Sequence, residues 1–405
     1  MKLVERHVIK KGHLHYQEID QLGFASKNLY NAANYLIRQS FIHEQVYLNY
    51  YTVQKQLQGT EVYQALPAKV SQQILMILDK NWQGFLASLK EWQSEPKKFL
   101  GRPKLPKYKD KEKGRNLLVY TIQALSQPLL RQGIVKPSRT NISVKTWIEN
   151  IKQVRIVPQL DHYVIEVIYE KEILQQQLAP KRIAGIDIGL NNLATVTFNQ
   201  AGIQPLLING RPLKSINQFF NKSKAKIQAK LGNQTSQRLQ KICTKRNFKV
   251  EDYLHKASRL IVDYLVFHQI GTLIIGRNPE WKQQVNLGKR NNQNFVQIPH
   301  ARLVEMLRYK AELQGIYVGE QEESYTSQAS FLDLDLIPVY SPGQKEKPLF
   351  SGQRICRGLY RSSTGKQFNA DVNGSLNIIR KAVPNAFSNG IEGVVVHPVR
   401  LTPAK

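Results

Sequence analysis

The chain has 405 residues, 41% of them hydrophobic, enough for two or three domains with a sizeable core and too apolar for a disordered polyelectrolyte. Lys and Arg number 58 against 30 Asp and Glu, and the formal net charge of +28 points to a polyanionic partner such as nucleic acid. The basic residues are spread over the whole chain, no apolar run is long enough to cross a bilayer, and the first residues lack a signal peptide's apolar core. The expectation is an intracellular protein with no membrane partner.

The first 16 residues alternate like a short strand or hairpin arm, on which His13 and His15 read either as half-exposed histidines or as members of a metal site that lacks a third ligand. From Asp20 to Trp92 the period is helical. Leu22, Ala25, Leu29, Ala32, Ala33 and Leu36 form one apolar face. Val70, Ile74, Ile77, Leu78, Trp82, Phe85 and Leu89 form another, with Pro67 at the expected helix start. Next comes a basic stretch, residues 96–115, punctuated by proline and glycine, which cannot be one long helix. It reads as a solvated linker or as a nucleic-acid contact, the contact carried by Lys97, Lys98, Arg102, Lys104, Lys107 and Lys109 interleaved with Phe99 and Tyr108.

From Asn116 to Glu172 the signals turn β, with alternating runs at 154–158 and 162–170 split by a polar turn. Residues 182–198 read as an apolar strand carrying Asp187, a turn at Gly189 to Asn192, and a returning strand. Lys214 to Tyr264 is a long basic helical region, broken near Gly232 into a hairpin. Lys214, Lys222, Lys224, Lys226 and Arg246 are its candidate phosphate contacts. A buried strand at 271–276, a polar loop through Trp281 and Asn294, a helix at 299–313 and a strand at 316–318 follow, leading into an acidic cluster. Asp371 then stands at the start of a helix. Two distant carboxylates carried on a rigid strand and helix suit divalent metals that hydrolyse a phosphodiester.

Several segments carry a family resemblance. They are Leu66-Pro-Ala-Lys-Val-Ser, Gly101-Arg-Pro-Lys-Leu-Pro-Lys-Tyr-Lys109, Gly185-Ile-Asp-Ile-Gly-Leu-Asn-Asn-Leu-Ala194, Lys214-Ser-Ile-Asn, His255-Lys-Ala-Ser258 and Asn369-Ala-Asp-Val-Asn-Gly-Ser-Leu-Asn-Ile378. In this order they resemble TnpB, the OrfB-type transposon-encoded family related to the type V CRISPR nucleases. The resemblance implies an α/β nuclease domain of the RuvC/RNase H-like kind at 182–380, with a helical insertion at 211–265. It also implies an α-helical recognition domain at 17–115 and a small β-barrel-like wedge domain from 1–16 plus 116–178. Residues 381–405 are left as a C-terminal tail. The implied partners are a guide RNA transcribed from the transposon end and a double-stranded DNA target. The protein would cut that target beside a short adjacent motif, in a prokaryotic cytoplasm and associated with the nucleoid.

Two departures from the family pattern matter. Gly276 stands where the family's second-motif glutamate would follow the strand, and the zinc-binding cysteines are missing: Cys243 and Cys356 cannot form a four-thiolate site, which argues against zinc. Two aspartates make a thin cage for a pair of Mg²⁺ ions (or Mn²⁺), so a third acid is expected. Glu280 lies past Pro279 on a loop, Glu305 on an amphipathic helix, and Asp333 and Asp335 read as loop acids. Glu323 is the expected relocated acid, on a strand able to neighbour that of Asp187, with adjacent Glu322 as the alternative on the opposite face. The reading is a metal-dependent endonuclease with Asp187, Glu323 and Asp371 as metal ligands. Its rivals are a guided DNA-binding protein without nuclease activity, motivated by Gly276, and a strand-joining transposase, for which no nucleophilic tyrosine with a paired-histidine motif stands out.

Overall fold

The computed structural model describes residues 1–174, 176–232, 234–277, 297–340 and 348–403. The polar loop through Trp281 and Asn294, with Glu280, lies outside them. The chain divides into two compact units, Met1–Lys171 and Glu172–Lys405.

The first unit holds strands β1 (Lys2–Lys10), β2 (Leu118–Thr121), β3 (Ile134–Val135), β4 (Val144–Lys145), β5 (Ile151–Pro158) and β6 (His162–Glu170). Its helices are α1 (Tyr16–Gln39), α2 (Tyr50–Leu57), α3 (Glu61–Gln64), α4 (Ala68–Ser94) and the single turn α5 (Gln127–Leu130). β1, β6, β5 and β2 form an antiparallel sheet in that order, with Lys2 opposite Glu170 and Lys10 opposite His162. Its hydrogen-bonded order is open rather than barrel-like. A separate helical domain is not seen either. Ile19, Leu29, Ala33, Val70, Ile74, Leu78 and Trp82 of α1 and α4 share one core with Tyr120, Val154, Ile156, Ile165 and Val167 of the sheet. The reason is that a sheet face and two helical stripes each need a partner to cover them. Ahead of α1, His13 and His15 sit in a turn rather than on a strand, and His15 Nε2 meets the backbone of Ser143.

Helix α1 is buried on more than the apolar stripe. Ser26, Lys27 and Asn34 are also buried, because the basic stretch runs along the helix as a strap. Asn34 Nδ2 and Arg38 donate to the carbonyl of Pro106, Asn31 Nδ2 to that of Lys109, and Lys27 Nζ to that of Lys111. Asn34 Oδ1 also accepts from Trp82 Nε1 at 2.9 Å. The polar side chains of α1 thus bond the strap's carbonyls and fix its path along the helix.

In the second unit the strands are β7 (Ala179–Ile188), β8 (Asn192–Phe198), β9 (Leu206–Asn209), β10 (Ile270–Gly276), β11 (Tyr317–Gln321), β12 (Gln353–Cys356), β13 (Leu359–Arg361), β14 (Gln367–Asn369) and β15 (Val399–Leu401). Its described helices are α6 (Arg211–Leu231), α7 (Gln237–Phe267), α8 (His300–Leu313) and α9 (Ala370–Ala382). A six-stranded sheet has the order β11-β10-β7-β8-β9-β15. β7, β8 and β9 are antiparallel, β10 and β11 run parallel to β7, and β15 runs parallel to β9. Helices α7 and α8 cover one face, where Leu254, Ile261, Leu265, Leu303 and Leu307 meet Ala184, Ile186, Val196 and Leu273. Helix α9 covers the other face, packing Ile378 and Ile379 against Ile183 and Ile274.

Two expected boundaries move. Residues 381–405 are no separate tail, since Lys381 and Ala382 complete α9 and Val399–Leu401 adds the edge strand β15. Residues 172–178 go with the second unit rather than the wedge, with Leu174 N donating to the carbonyl of Leu313. No described helix is long and apolar enough to cross a membrane.

In the first unit Asp20 of α1 accepts from Arg115 at 2.7 and 3.0 Å and from the Tyr163 hydroxyl at 2.7 Å. Burial works against the charged form, yet the Arg115 and Tyr163 bonds hold the Asp20 carboxyl below its ordinary value of 3.8. Its contribution is therefore complete above that value and is lost as pH falls through the lower folded value. Asp20→Asn should lower stability at neutral pH by about 1–2 kcal/mol and should flatten the loss of stability below pH 3.8, both read from urea midpoints across pH.

Candidate active site

Along β7, Ile183, Gly185 and Asp187 share the face that α9 covers, because side chains alternate along a strand. The approach of α9 is close. A Cβ on Gly185 would lie 2.6 Å from both Ile379 Cγ1 and the Ser375 carbonyl, so only glycine fits there. Ser375 Oγ, wholly buried, lies 2.9 Å from the Gly185 carbonyl, 3.2 Å from that of Thr195 and 2.9 Å from Thr197 Oγ1. This contact places the first turn of α9, and with it Asp371, beside the end of β7.

Asp371 sits where a helix N-terminus favours an anion, with Asn369 capping the helix by accepting from the amides of Asp371 and Val372. Asp371 Oδ2 accepts from Asn192 Nδ2 at 2.7 Å, and Oδ1 lies 3.6 Å from the guanidinium of Arg354 on β12. Asn192 Oδ1 is buried without a hydrogen-bond partner.

Glu323 comes two residues after β11, and β10 lies between β11 and β7, so its strand does not border that of Asp187 as expected. It reaches the site across β10 instead. A Cβ on Gly276, the last residue of β10, would overlap Glu323 Oε1 and Ile378 Cδ1 and lie 2.9 Å from Glu323 Cγ. The carboxylate thus fills the space that a side chain at 276 would take. Glu322 points elsewhere: Lys381 Nζ donates to its Oε2 at 2.7 Å, and the Ser324 amide and hydroxyl donate to its Oε1.

The electrostatics separate these acids. Asp187 keeps some open surface, yet burial of its carboxyl pushes its pKa well above the usual range, and Glu323 and Asp371 add to the rise while Arg354 opposes it. Glu323 is pushed up to about 7, first by burial and then by Glu322. Glu322, although burial opposes ionisation, is held below its ordinary value by Lys381 and Ser324. Like charges crowded in a partly dry site are raised in this way unless a cation relieves them.

The chemistry of the donors fits a hard divalent cation such as Mg²⁺ or Mn²⁺: three carboxylates and a buried, unpartnered amide oxygen, all oxygen ligands. Among the described residues no three His, Cys, Asp or Glu side chains stand as a preformed metal cluster. Asp371 is instead drawn to Arg354 and Asn192. The other acids lie apart from this group. Glu305 is exposed on α8, while Asp333 and Asp335 accept from Ser363 and from Ser330 and Ser351 in the loops beside β12–β14. Asn373 and Asn377 are structural, binding the carbonyl of Ala329 from inside α9. Cys243 and Cys356 are free thiols.

The expected phosphate contacts divide. Lys104, Lys107 and Lys109 are exposed on the strap, and Lys222 and Lys226 are exposed on α6, with Lys224 half-buried. Lys98 pairs with Glu91 and Glu95, Lys97 is exposed on the same 3₁₀ turn, and the guanidinium of Arg102 lies over Trp92. Arg246 is committed to internal bonds: it donates to Asn217, Asn247 and the Gln297 carbonyl, holding α7 to α6. Lys214 donates to Asn191 Oδ1 in the turn after Asp187 and is held below its ordinary value by burial and by Arg357 and Arg211. Arg354 and Lys381 were not foreseen, and no local pattern marks either.

Residues 162–282 match a family model described as a probable transposase, OrfB_IS605, and residues 300–378 match a Cas12f1-like TNB domain. A TnpB-like protein of Methanocaldococcus jannaschii is 28% identical over 234 residues, which are 54% of this chain and 77% of that protein. A TnpB-like protein of Acidianus two-tailed virus is 24% identical over 437 residues, covering 95% of this chain and 85% of the relative. These matches support the TnpB family for this chain. Among solved structures, the Cas12f1–sgRNA–target DNA complex is similar at 15% identity and a TM-score of 0.37, covering 93% of this chain and 98% of that one. The mini RNA-guided endonuclease CRISPR-Cas_phi3 is similar at 10% identity and a TM-score of 0.43, covering 98% of this chain and 94% of that one.

The shared volume at 276 and 323 can be tested by a double-mutant cycle. Gly276→Ala should destabilise by about 1–3 kcal/mol through overpacking. In a Glu323→Ala background the penalty should shrink without vanishing, because Ile378 still obstructs the new methyl group. Thermal melts of the four proteins measure both effects.

Proposed function

We propose that this chain is a transposon-encoded, RNA-guided and metal-dependent DNA endonuclease. In this reading it takes a guide RNA from the transposon end and cleaves double-stranded DNA beside a short adjacent motif, in a prokaryotic cytoplasm at the nucleoid. Asp187, Glu323 and Asp371 would hold two Mg²⁺ ions, for which Mn²⁺ can substitute. The observation that supports the reading is that Glu323 and Asp371, from the segment after β11 and from α9, both act electrostatically on Asp187 of β7, with Glu323 filling the volume at Gly276. The strand order, three antiparallel strands followed by two parallel ones, fits an RNase H-like nuclease. The excess of Lys and Arg and the exposed lysines of the strap and of α6 suit a nucleic-acid partner.

Bound divalent ions would activate water and stabilise the leaving oxygen. The protein's own part is to gather the ligands. β7 presents Asp187 from a packed sheet, α9 presents Asp371 at its N-terminus, and Asn192 fixes one oxygen of Asp371. Arg354, 47% exposed and beside Asp371, is available to a phosphate oxygen.

A second reading, a guided binding protein without nuclease activity, draws on the glycine at 276. The carboxylate of Glu323 in that same space favours the enzyme.

The test uses protein co-expressed with its flanking DNA, so that any guide RNA co-purifies. The complex meets Mg²⁺ and a plasmid library carrying the matching target beside randomised flanks. The wild type should cut next to one flank. Asp187→Ala, Glu323→Ala and Asp371→Ala should each abolish cutting while retaining RNA and DNA, and a chelator should do the same to the wild type. Full cleavage by any one variant removes that residue from the site, and flank-specific retention without cutting by the wild type selects the binding protein. Nucleic-acid affinity should fall steeply between about 50 and 200 mM salt, because lysine–phosphate contacts release counterions.

A further inference from the structure

Glu322 and Glu323 are adjacent and chemically alike, and both lie past the last paired residue of β11, Gln321. Strand alternation therefore no longer decides which of them faces Asp187. We propose that Lys381 is a positioning residue that makes this choice, by anchoring Glu322 to α9 so that Glu323 alone is presented to the site. This rests on the assignment of Asp187, Glu323 and Asp371 as cation ligands made above.

Asn373, Asn377 and Lys381 recur at four-residue spacing and so lie along one side of α9. Each binds the segment that carries the two glutamates. Asn373 accepts from the Phe331 amide and donates to the Ala329 carbonyl. Asn377 donates to the carbonyls of Thr326 and Ala329. Lys381, with a side chain only 5% exposed, donates to Glu322 Oε2 at 2.7 Å and to the Ser324 carbonyl at 2.9 Å. Lys381 thus grips the chain on both sides of residue 323. Glu322 Oε1 is taken by Ser324, and the Glu323 carbonyl accepts from the Thr326 amide and hydroxyl, so the backbone has little room to turn.

A buried ammonium needs its counter-charge, and that need keeps Glu322 in place. Without Lys381 the Glu322 carboxylate loses its partner, and the segment can then offer either glutamate to Asp187. The same helix that supplies Asp371 would in this way choose the third acid.

The experiment measures binding of Mn²⁺ alone to the full chain by calorimetry, together with thermal midpoints. Lys381→Met, Lys381→Gln and Lys381→Arg are compared with the wild type, each with and without Glu323→Gln. In the wild-type background Glu323→Gln should weaken Mn²⁺ binding by roughly 10- to 100-fold, the range in which metal sites respond to loss of a supporting group. Lys381→Met should weaken it roughly tenfold, Lys381→Gln by less because an amide can still donate to Glu322 and Ser324, and Lys381→Arg should restore most of it. Glu323→Gln should have a much smaller effect once Lys381 is neutral, because Glu322 can then take over. If Lys381→Met does not fold, Lys381→Gln carries the same comparison. A lower midpoint with unchanged Mn²⁺ affinity, or a full Glu323→Gln effect in the neutral-381 background, overturns the proposal while leaving the site assignment standing. An inert Glu323→Gln in the wild-type background removes the assignment and this proposal together.

Discussion

The close contact between α9 and β7 is the constraint on which the rest of the second unit depends. A helix can lie this near a strand only where the strand has no side chain in the way, and Gly185 provides that gap. Ser375 then fastens the helix to the sheet through the carbonyls of Gly185 and Thr195. The N-terminus of α9 brings Asp371 to the end of β7, and its polar side holds the segment that carries Glu322 and Glu323.

The price of that arrangement is electrostatic. Burial raises the carboxyls of Asp187 and Glu323, and Glu323 and Asp371 push Asp187 up further, so the fold does not gather these groups without compensation. Some compensation is built in. Arg354 stands 3.6 Å from Asp371, Asn192 donates to Asp371, and Lys381 neutralises Glu322. None of these neutralises Asp187 directly. The remaining excess of negative charge is the physical reason that a divalent cation suits this place.

The first unit follows a different logic, in which side chains of α1 bond the backbone of the strap while the strap's lysines stay exposed. Asn31, Asn34 and Lys27 of α1 spend their donors on the carbonyls of the strap. The strap's own lysines, Lys104, Lys107 and Lys109, are left facing solvent. Held this way, they would meet a polyanion with less conformational entropy to lose than lysines on a free linker.

Sequence alone determined whatever depends on short-range pattern. The strand bearing Asp187, its returning hairpin, the helical pair after residue 210 and the helix opening at Asp371 follow from apolar spacing, turn residues and caps, all of which act within a few residues. The sequence reading also preferred Glu323 to Glu322, on a strand adjacency that the sheet order does not bear out. Only the tertiary structure gave a reason, because the space at Gly276 that Glu323 fills is made by a different strand and by Ile378 of a helix. The partners of these acids were equally hidden: Asn192 and Asp371 are 179 residues apart, and Lys381 and Glu322 are 59 apart. The basic residues are the clearest case. Arg246 and Lys222 look alike in the sequence, yet one is spent on holding two helices together and the other is free to meet a partner. A charge's role is set by what packs beside it, and no local pattern records that.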